Sequence, residues 1–215
     1  MLLLSVALLT CKNAKMQDTN DDFSASEPTD TIPYISIEHV IVDCNYTFEE
    51  ATMGTTADED VIRELELIQV QYYSTDGKLH QGQILCNRKI AQNIVSIFEF
   101  IKELKFPVAH AIPIVRYGWD EELSMQANNT YSFCYRHISY SKHASGMAID
   151  INPYFNPLRW KTEKRPNRPE GAEYNPEIPG TFYRDHPVVV KFQRMGFLWG
   201  NTFTRYYDDN HFEKK

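Results

Sequence analysis

A single aspartate inside an apolar run constrains the fold of this chain more than any other feature. Asp150 stands in the sequence Met-Ala-Ile-Asp-Ile, residues 147–151, whose length and composition are typical of a short buried strand. A carboxylate in such surroundings is costly unless it is paired with another group or binds a metal. The fold therefore has to bring partners to Asp150.

His143 is the nearest candidate partner, and it lies seven residues before Asp150. On a straight helix this spacing separates the two Cα atoms by about 10 Å, and on a strand by about 23 Å. Zinc–ligand bonds are about 2 Å long, so both side chains reach one ion only if the chain bends between them. Gly146 allows that bend, because glycine adopts backbone conformations that other residues avoid.

The C-terminal segment offers a second pair of polar residues, Asp208 and His211. Three residues apart, they would face opposite sides of a strand, whereas in a helical turn their Cβ atoms lie about 5–6 Å apart on one face. We therefore predict a turn that places His211 on the same metal ion, with Asp208 beside the water molecule that the ion binds.

The composition is that of one ordinary globular domain. The 215 residues are 42% hydrophobic and 24% charged, with a formal net charge of −7. These values exclude a disordered chain and give no basic footprint for nucleic acid. A chain of this length buries about 70% of its unfolded surface, so neither a metal nor a disulfide is needed merely to fold it. Three cysteines of the body allow one disulfide without indicating the pair: Cys44, Cys86 and Cys134.

The first eleven residues have the pattern of an export signal. Residues 1–10 form an apolar run about half as long as a membrane-spanning helix, and Leu-Leu-Thr-Cys at residues 8–11 looks like a bacterial lipobox. Cys11 would then be lipidated; an ordinary cleaved signal is the alternative. Residues 12–31 are acidic and poor in large apolar side chains, as expected of a flexible tether. We predict an exported protein of the cell envelope or periplasm, held at the membrane only through a lipid anchor.

Local patterns predict an α+β fold, with helices and a small mixed or antiparallel sheet. The Asp76-Gly77 turn between two β-prone runs predicts a hairpin over residues 65–86, and apolar residues every three or four positions predict a helix from Asn87 to about residue 106. The remaining predictions are a strand over 108–117, a helix over 120–127, extended chain over 131–138, a long proline-rich surface loop over 152–187, and a last helix over 187–195 that ends at Gly196.

The motifs together resemble a known family. Ser-x-His-x-x-Gly-x-Ala-x-Asp at residues 141–150, followed by Asp-x-x-His-Phe-Glu at 208–213, is similar to the zinc D-Ala-D-Ala carboxypeptidases and L-Ala-D-Glu endopeptidases that act on peptidoglycan, whose fold is shared with hedgehog signalling domains. Segments 129–136, 150–153 and 196–200 also resemble exported bacterial members. The resemblance covers about residues 87–215, which it identifies as a zinc peptidase domain of hedgehog/DD-peptidase-like fold. The β-rich residues 32–86 resemble no family.

The resemblance implies one zinc ion, held by a set of three ligands: His143, Asp150 and His211. It also implies Asp208 as the general base in the hydrolysis of a peptide stem of peptidoglycan. Either the D-Ala-D-Ala or the L-Ala-D-Glu bond fits, and the C-terminal motif leans slightly toward the second.

Several further residues are candidates for substrate contacts. Arg136 is the first candidate for the cation that faces the developing oxyanion or the substrate carboxylate, and Arg116 is the second. Ser132 is a candidate contact for the substrate backbone, with a local hydrogen bond as the alternative. Glu213 is a candidate to orient a metal ligand by a hydrogen bond, with an ordinary surface glutamate as the alternative. Aromatic residues such as Trp160 and Tyr206 are interpreted as packing residues.

Two other classes of protein remain open at this stage. One is a non-catalytic, zinc-containing binding module of the cell envelope, and the other is an anchored scaffold without metal. Asp208 discriminates between an enzyme and a pure binder, because a binder has no need of a carboxylate three residues before its last ligand.

Overall fold

The computed structural model describes residues 39–137 and 141–215. Cys11, the predicted export signal and the tether lie outside these residues, and so does Ile138, the end of the predicted extended segment. Among the described residues, no helix has the length and apolar character needed to cross a membrane.

The described residues form a mixed α+β fold, as the sequence predicts. The α-helices are α1 (Phe48–Thr52), α2 (Glu59–Arg63), α3 (Arg88–Glu103), α4 (Glu121–Gln126) and α5 (Pro187–Arg194). Short 3-10 helices span Ile114–Tyr117, His143–Ser145 and Gly200–Thr202. The strands are β1 (Ile41–Val42), β2 (Leu65–Tyr73), β3 (Leu79–Asn87), β4 (His110–Ala111), β5 (Asn129–Thr130), β6 (Ala148–Asp150), β7 (Leu158–Trp160), β8 (Phe197–Trp199), β9 (Tyr206–Asp208) and β10 (His211–Lys214).

These strands form small sheets, two of which position the site. The first has the order β1-β3-β2, with β1 parallel and β2 antiparallel to β3. The second has the order β6-β10-β8 and is antiparallel throughout. Two-stranded pairs β4-β5 and β7-β9 complete the described sheets.

The predicted hairpin and the helix that follows it are both confirmed. β3 runs directly into α3 at Asn87, whose side chain accepts a hydrogen bond from the backbone N–H of Lys89 at 3.0 Å. One face of α3 is buried against β2 and β3, and it consists of Ile90, Ala91, Ile94, Ile97, Phe98 and Ile101.

One hydrophobic cluster connects the β-rich residues to the rest of the body. It contains Ile68 and Tyr72 of β2 together with Ile149 of β6 and Phe212 of β10. The described residues before position 87 therefore share a core with the strands that carry the site.

Two predicted segments are wrong in part. The strand predicted over residues 108–117 is limited to β4, because Pro113 lacks the N–H that a continuing ladder needs and residues 114–117 turn into a 3-10 helix. The loop over 152–187 contains β7 and is partly buried. Its asparagines explain this, since Asn152 and Asn156 are fully buried and bind backbone groups of residues 107, 109, 180 and 182.

The three described cysteines are free thiols, so the disulfide that the sequence allowed does not form among them. Burial raises the pKa of Cys86 and of Cys134 to about 12. Both thiols therefore stay protonated at neutral pH and act as small apolar side chains.

Candidate metal centre

Three elements deliver the predicted metal ligands to one point. Asp150 ends β6 and His211 begins β10, and the antiparallel register places these two residues directly opposite each other. Side chains opposite each other in an antiparallel pair lie on the same face of the sheet. His143 comes from the 3-10 helix just before β6.

Gly146 makes the bend that the spacing of His143 and Asp150 requires. It ends the 3-10 helix with φ of +67°, in the left-handed region that glycine tolerates. A Cβ atom there would lie 2.7 Å from the backbone nitrogen of Asn87 and 3.0 Å from Cδ2 of Leu65. Glycine is thus required both by the backbone conformation and by the close approach of β3.

The three ligand atoms form a nearly equilateral triangle. Oδ1 of Asp150 lies 2.9 Å from Nδ1 of His211 and 3.1 Å from Nε2 of His143, and the two nitrogens are 3.0 Å apart. Bonds of 2.0–2.1 Å in a tetrahedron separate neighbouring ligand atoms by about 3.3 Å. The observed sides are about 0.2–0.4 Å shorter, so small side-chain movements would give the size that a tetrahedral zinc ion needs.

In each imidazole, the nitrogen that points away from Asp150 lies within hydrogen-bond distance of an acceptor. Nδ1 of His143 lies 2.7 Å from the backbone oxygen of Ser132, and Nε2 of His211 lies 3.2 Å from Oε2 of Glu213. If each of these nitrogens donates its proton outward, both lone pairs face Oδ1 of Asp150. Three acceptors within 3.1 Å of one another are stable only around a cation or a shared proton, so the donor set fits zinc.

In the absence of a metal, the charges around the three ligands favour a proton on His211. Burial alone lowers the pKa of His211, but hydrogen bonds to Asp150 and Glu213 and the nearby carboxylate charges outweigh it and raise the pKa to about 10. Burial alone raises the pKa of Asp150, and the two histidines reverse this and hold its pKa well below the usual range. Asp150 is thus an anion that binds either a proton on His211 or a metal.

Zinc binding is therefore expected to release a proton and to strengthen with pH. Below about pH 10 the ion has to displace the His211 proton, so the zinc Kd should fall about tenfold for each pH unit between pH 7 and 9. Competition with a chelator of known affinity measures the Kd, and calorimetry in two buffers of different ionisation enthalpy counts the protons. A Kd independent of pH over this range would contradict the assignment.

Asp208 lies across a tight turn from His211 and lines the same pocket as the three ligands. The predicted turn is present, although it joins β9 to β10 and is not helical. Burial raises the pKa of Asp208 to about 7, with the His211 charge opposing this effect and the Asp150 charge adding to it. A cation beside Asp208 would lower that pKa and leave a carboxylate able to accept a proton near neutral pH.

The turn itself is fixed by a buried ion pair. Asp209 is fully buried, and it accepts hydrogen bonds from Nε of Arg159 and from Nδ2 of Asn201, each at 2.6 Å. The Arg159 guanidinium lies over the rings of Tyr174 and Tyr207, 4.1 and 4.7 Å from their centroids. These contacts fix the conformation of the turn, and with it the positions of Asp208 and His211 on either side.

The structure separates the other predicted site residues into two groups. Arg136 lines the pocket and forms an ion pair with Glu121. Glu213 contacts His211 as expected. Arg116 and Ser132 lie outside the lining of the pocket.

The positions of these two residues have clear physical reasons. Arg116 is exposed on the 3-10 helix at residues 114–117, where it lies near Cys44 and outside the lining of the pocket. Ser132 is 1% exposed, and its hydroxyl lies within hydrogen-bond distance of the backbone oxygens of Gly146 and Ala148, to one of which it donates. Its local hydrogen bonds, the alternative considered from sequence, are what the structure shows.

Sequence reasoning missed several residues of the pocket. Trp160, Tyr206 and Phe203 line it, although the first two were interpreted as packing residues. Tyr131 and Glu121 were not singled out, yet the Tyr131 hydroxyl lies 2.9 Å from Oδ2 of Asp150 and 2.7 Å from Oε1 of Glu121. No spacing rule signals these contacts, because they join segments that meet only in the folded chain.

Residues 136–214 match the family model described as D-alanyl-D-alanine carboxypeptidase. The predicted resemblance to this carboxypeptidase family is confirmed for these residues. The matched segment contains the three candidate ligands, Asp208 and Arg136, and it leaves out Arg116 and Ser132. The match supports a peptidase. No curated protein and no solved structure matches the chain.

Proposed function

We propose that this protein is a zinc-dependent peptidase that hydrolyses the peptide stems of peptidoglycan. The observation that carries the proposal is the buried triangle of His143, Asp150 and His211, with Asp208 beside it in the same pocket. The match of residues 136–214 to the carboxypeptidase family supports the substrate class.

Each group in the pocket has a task in amide hydrolysis. His143, Asp150 and His211 would hold a zinc ion, which when bound would supply a Lewis acid that polarises the scissile carbonyl and lowers the pKa of a water molecule toward about 7. Asp208 accepts a proton from the attacking water and passes it to the leaving amine. Arg136, fixed by Glu121, faces the charge that develops on the carbonyl oxygen or the substrate carboxylate. Aromatic side chains on one side of the pocket contact the peptide and exclude water.

The bond that is cut remains part of the proposal. The description of the matched family favours the D-Ala-D-Ala bond, whereas the C-terminal motif leans toward L-Ala-D-Glu. Incubating the full zinc-loaded protein with purified muropeptides and measuring product masses distinguishes them. Loss of one terminal alanine identifies a carboxypeptidase, and release of the stem beyond its first alanine identifies an endopeptidase.

A chelator-treated sample is the control, since it is expected to lose cleavage and to regain it when zinc is added. Zinc-loaded protein that binds muropeptides without cleaving any of them would instead support the non-catalytic binding module.

We also propose that the protein is exported to the cell envelope and anchored by a lipid on Cys11. This proposal rests on residues 1–11 alone. Mass spectrometry of the mature N-terminus tests both parts of this proposal. An acylated Cys11 supports export and the anchor. An unmodified N-terminus created by signal cleavage supports export and contradicts the anchor.

A further inference from the structure

The outer oxygen of Asp150 has a partner of its own. While Oδ1 faces the two histidines, Oδ2 lies 2.9 Å from the hydroxyl of Tyr131. Tyr131 is 1% exposed, so no solvent competes for this contact. Each of the two carboxylate oxygens therefore faces a different group.

We infer that Tyr131 is a positioning residue that makes Asp150 a one-oxygen metal ligand. The inference rests on the metal site of the proposed function and adds a residue to it. A carboxylate can rotate about its Cβ–Cγ bond and bind a metal through one or both oxygens. A hydrogen bond from Tyr131 holds Oδ2 away from the ion and leaves Oδ1 pointing into the triangle.

The backbone reinforces this contact. The N–H of Tyr131 donates to the oxygen of Asp150 at 3.1 Å, and the N–H of Asp150 donates to the oxygen of Tyr131 at 2.9 Å. The Tyr131 ring also lies against the ring of His143, with 5.2 Å between centroids. Tyr131 thus contacts two of the three candidate ligands through groups that have little freedom to move.

Glu121 extends the same network to the pocket cation. Its Oε1 lies 2.7 Å from the Tyr131 hydroxyl and also accepts a hydrogen bond from Arg136. A phenol has one proton, so Tyr131 donates to either Glu121 or Asp150 at one time. Oε1 of Glu121 already accepts a hydrogen bond from the Arg136 guanidinium, whereas Tyr131 is the donor that the structure describes for Oδ2 of Asp150, which favours donation to Asp150.

Zinc affinity of the full-length protein tests the inference without any measurement of cleavage. Tyr131→Phe removes only the hydroxyl, and the zinc Kd, measured by chelator competition, should rise about 10- to 100-fold. Bound Co²⁺ should also lose visible absorption, because a freed Oδ2 allows two-oxygen binding and a higher coordination number.

Tyr72→Phe is a matched control. Tyr72 is also fully buried, and its hydroxyl donates to a carboxylate, that of Asp43, away from the site. This variant should keep the zinc Kd of the wild type within twofold, even if it loses stability. Equal zinc Kd values for Tyr131→Phe, Tyr72→Phe and wild type would overturn the inference.

Glu121→Gln keeps the test decisive if Tyr131→Phe does not fold. The amide no longer pairs with the Arg136 charge, while Tyr131 can still donate to Asp150. A zinc Kd within threefold of wild type, with KM for the peptide raised at least tenfold, supports the division of roles. A tenfold loss of zinc affinity would show that Glu121 acts on the metal and would overturn it. Wild-type protein that binds no zinc would contradict the proposed metal site itself.

Discussion

Asp208→Asn is expected to lower kcat/KM for stem-peptide hydrolysis by about 10²- to 10⁴-fold while the protein keeps its zinc. Asparagine has nearly the same shape as aspartate and is neutral, so it cannot take the proton of the attacking water. Asp208 is not part of the ligand triangle, and the turn between it and His211 is held independently by Asp209 and Arg159. Metal analysis and steady-state kinetics on the same preparation measure both quantities.

The pH dependence of the hydrolysis rate is a second test of Asp208 as the base. Without a cation the pKa of Asp208 is about 7, and a bound dication lowers it, so the wild-type rate should rise with pH through a midpoint below 7. That rise should be lost in Asp208→Asn. Asp185→Asn, which changes an exposed carboxylate, should keep the wild-type profile. Unchanged kinetics in Asp208→Asn would exclude it as the base.

Gly146→Ala is expected to destabilise the protein by about 2–5 kcal/mol and to weaken zinc binding. A non-glycine residue in the left-handed region costs about 1–2 kcal/mol, and forcing an extra carbon into packed structure adds about 1–3 kcal/mol. At this position the added Cβ would lie 2.7 Å from the backbone nitrogen of Asn87. Relief of that clash has to move either β3 or the segment that carries His143.

Gly77→Ala separates the two contributions. Gly77 has φ of +76° in the hairpin turn, and nothing lies within 4 Å of a Cβ placed there. It should therefore cost only about 1–2 kcal/mol and leave the zinc Kd unchanged. Denaturant unfolding measures the first quantity and chelator competition the second. Equal losses in the two variants would show that the close approach of β3 has no energetic weight.

Interactions between residues close in sequence were predictable. The Asp76-Gly77 turn, the Asn87 cap and the apolar face of α3 each depend on neighbours within a few residues, where periodicity and turn chemistry are informative. The buried Asp150 and its spacing from His143 required a bend at Gly146, and the structure has that bend.

Contacts between distant segments were decided only by the tertiary structure. Arg116 and Ser132 have the right chemistry for a substrate contact, but the fold exposes one away from the pocket and buries the other against backbone oxygens. Tyr131 and Glu121 have no distinguishing pattern in the chain, and packing brings them to Asp150. The sequence by itself indicated which side chains have the chemistry to bind a cation and where the chain has to bend, because the first follows from residue type and the second from local backbone geometry. Which side chains surround those ligands was decided by the packing of segments far apart in the chain, which leaves no periodic trace.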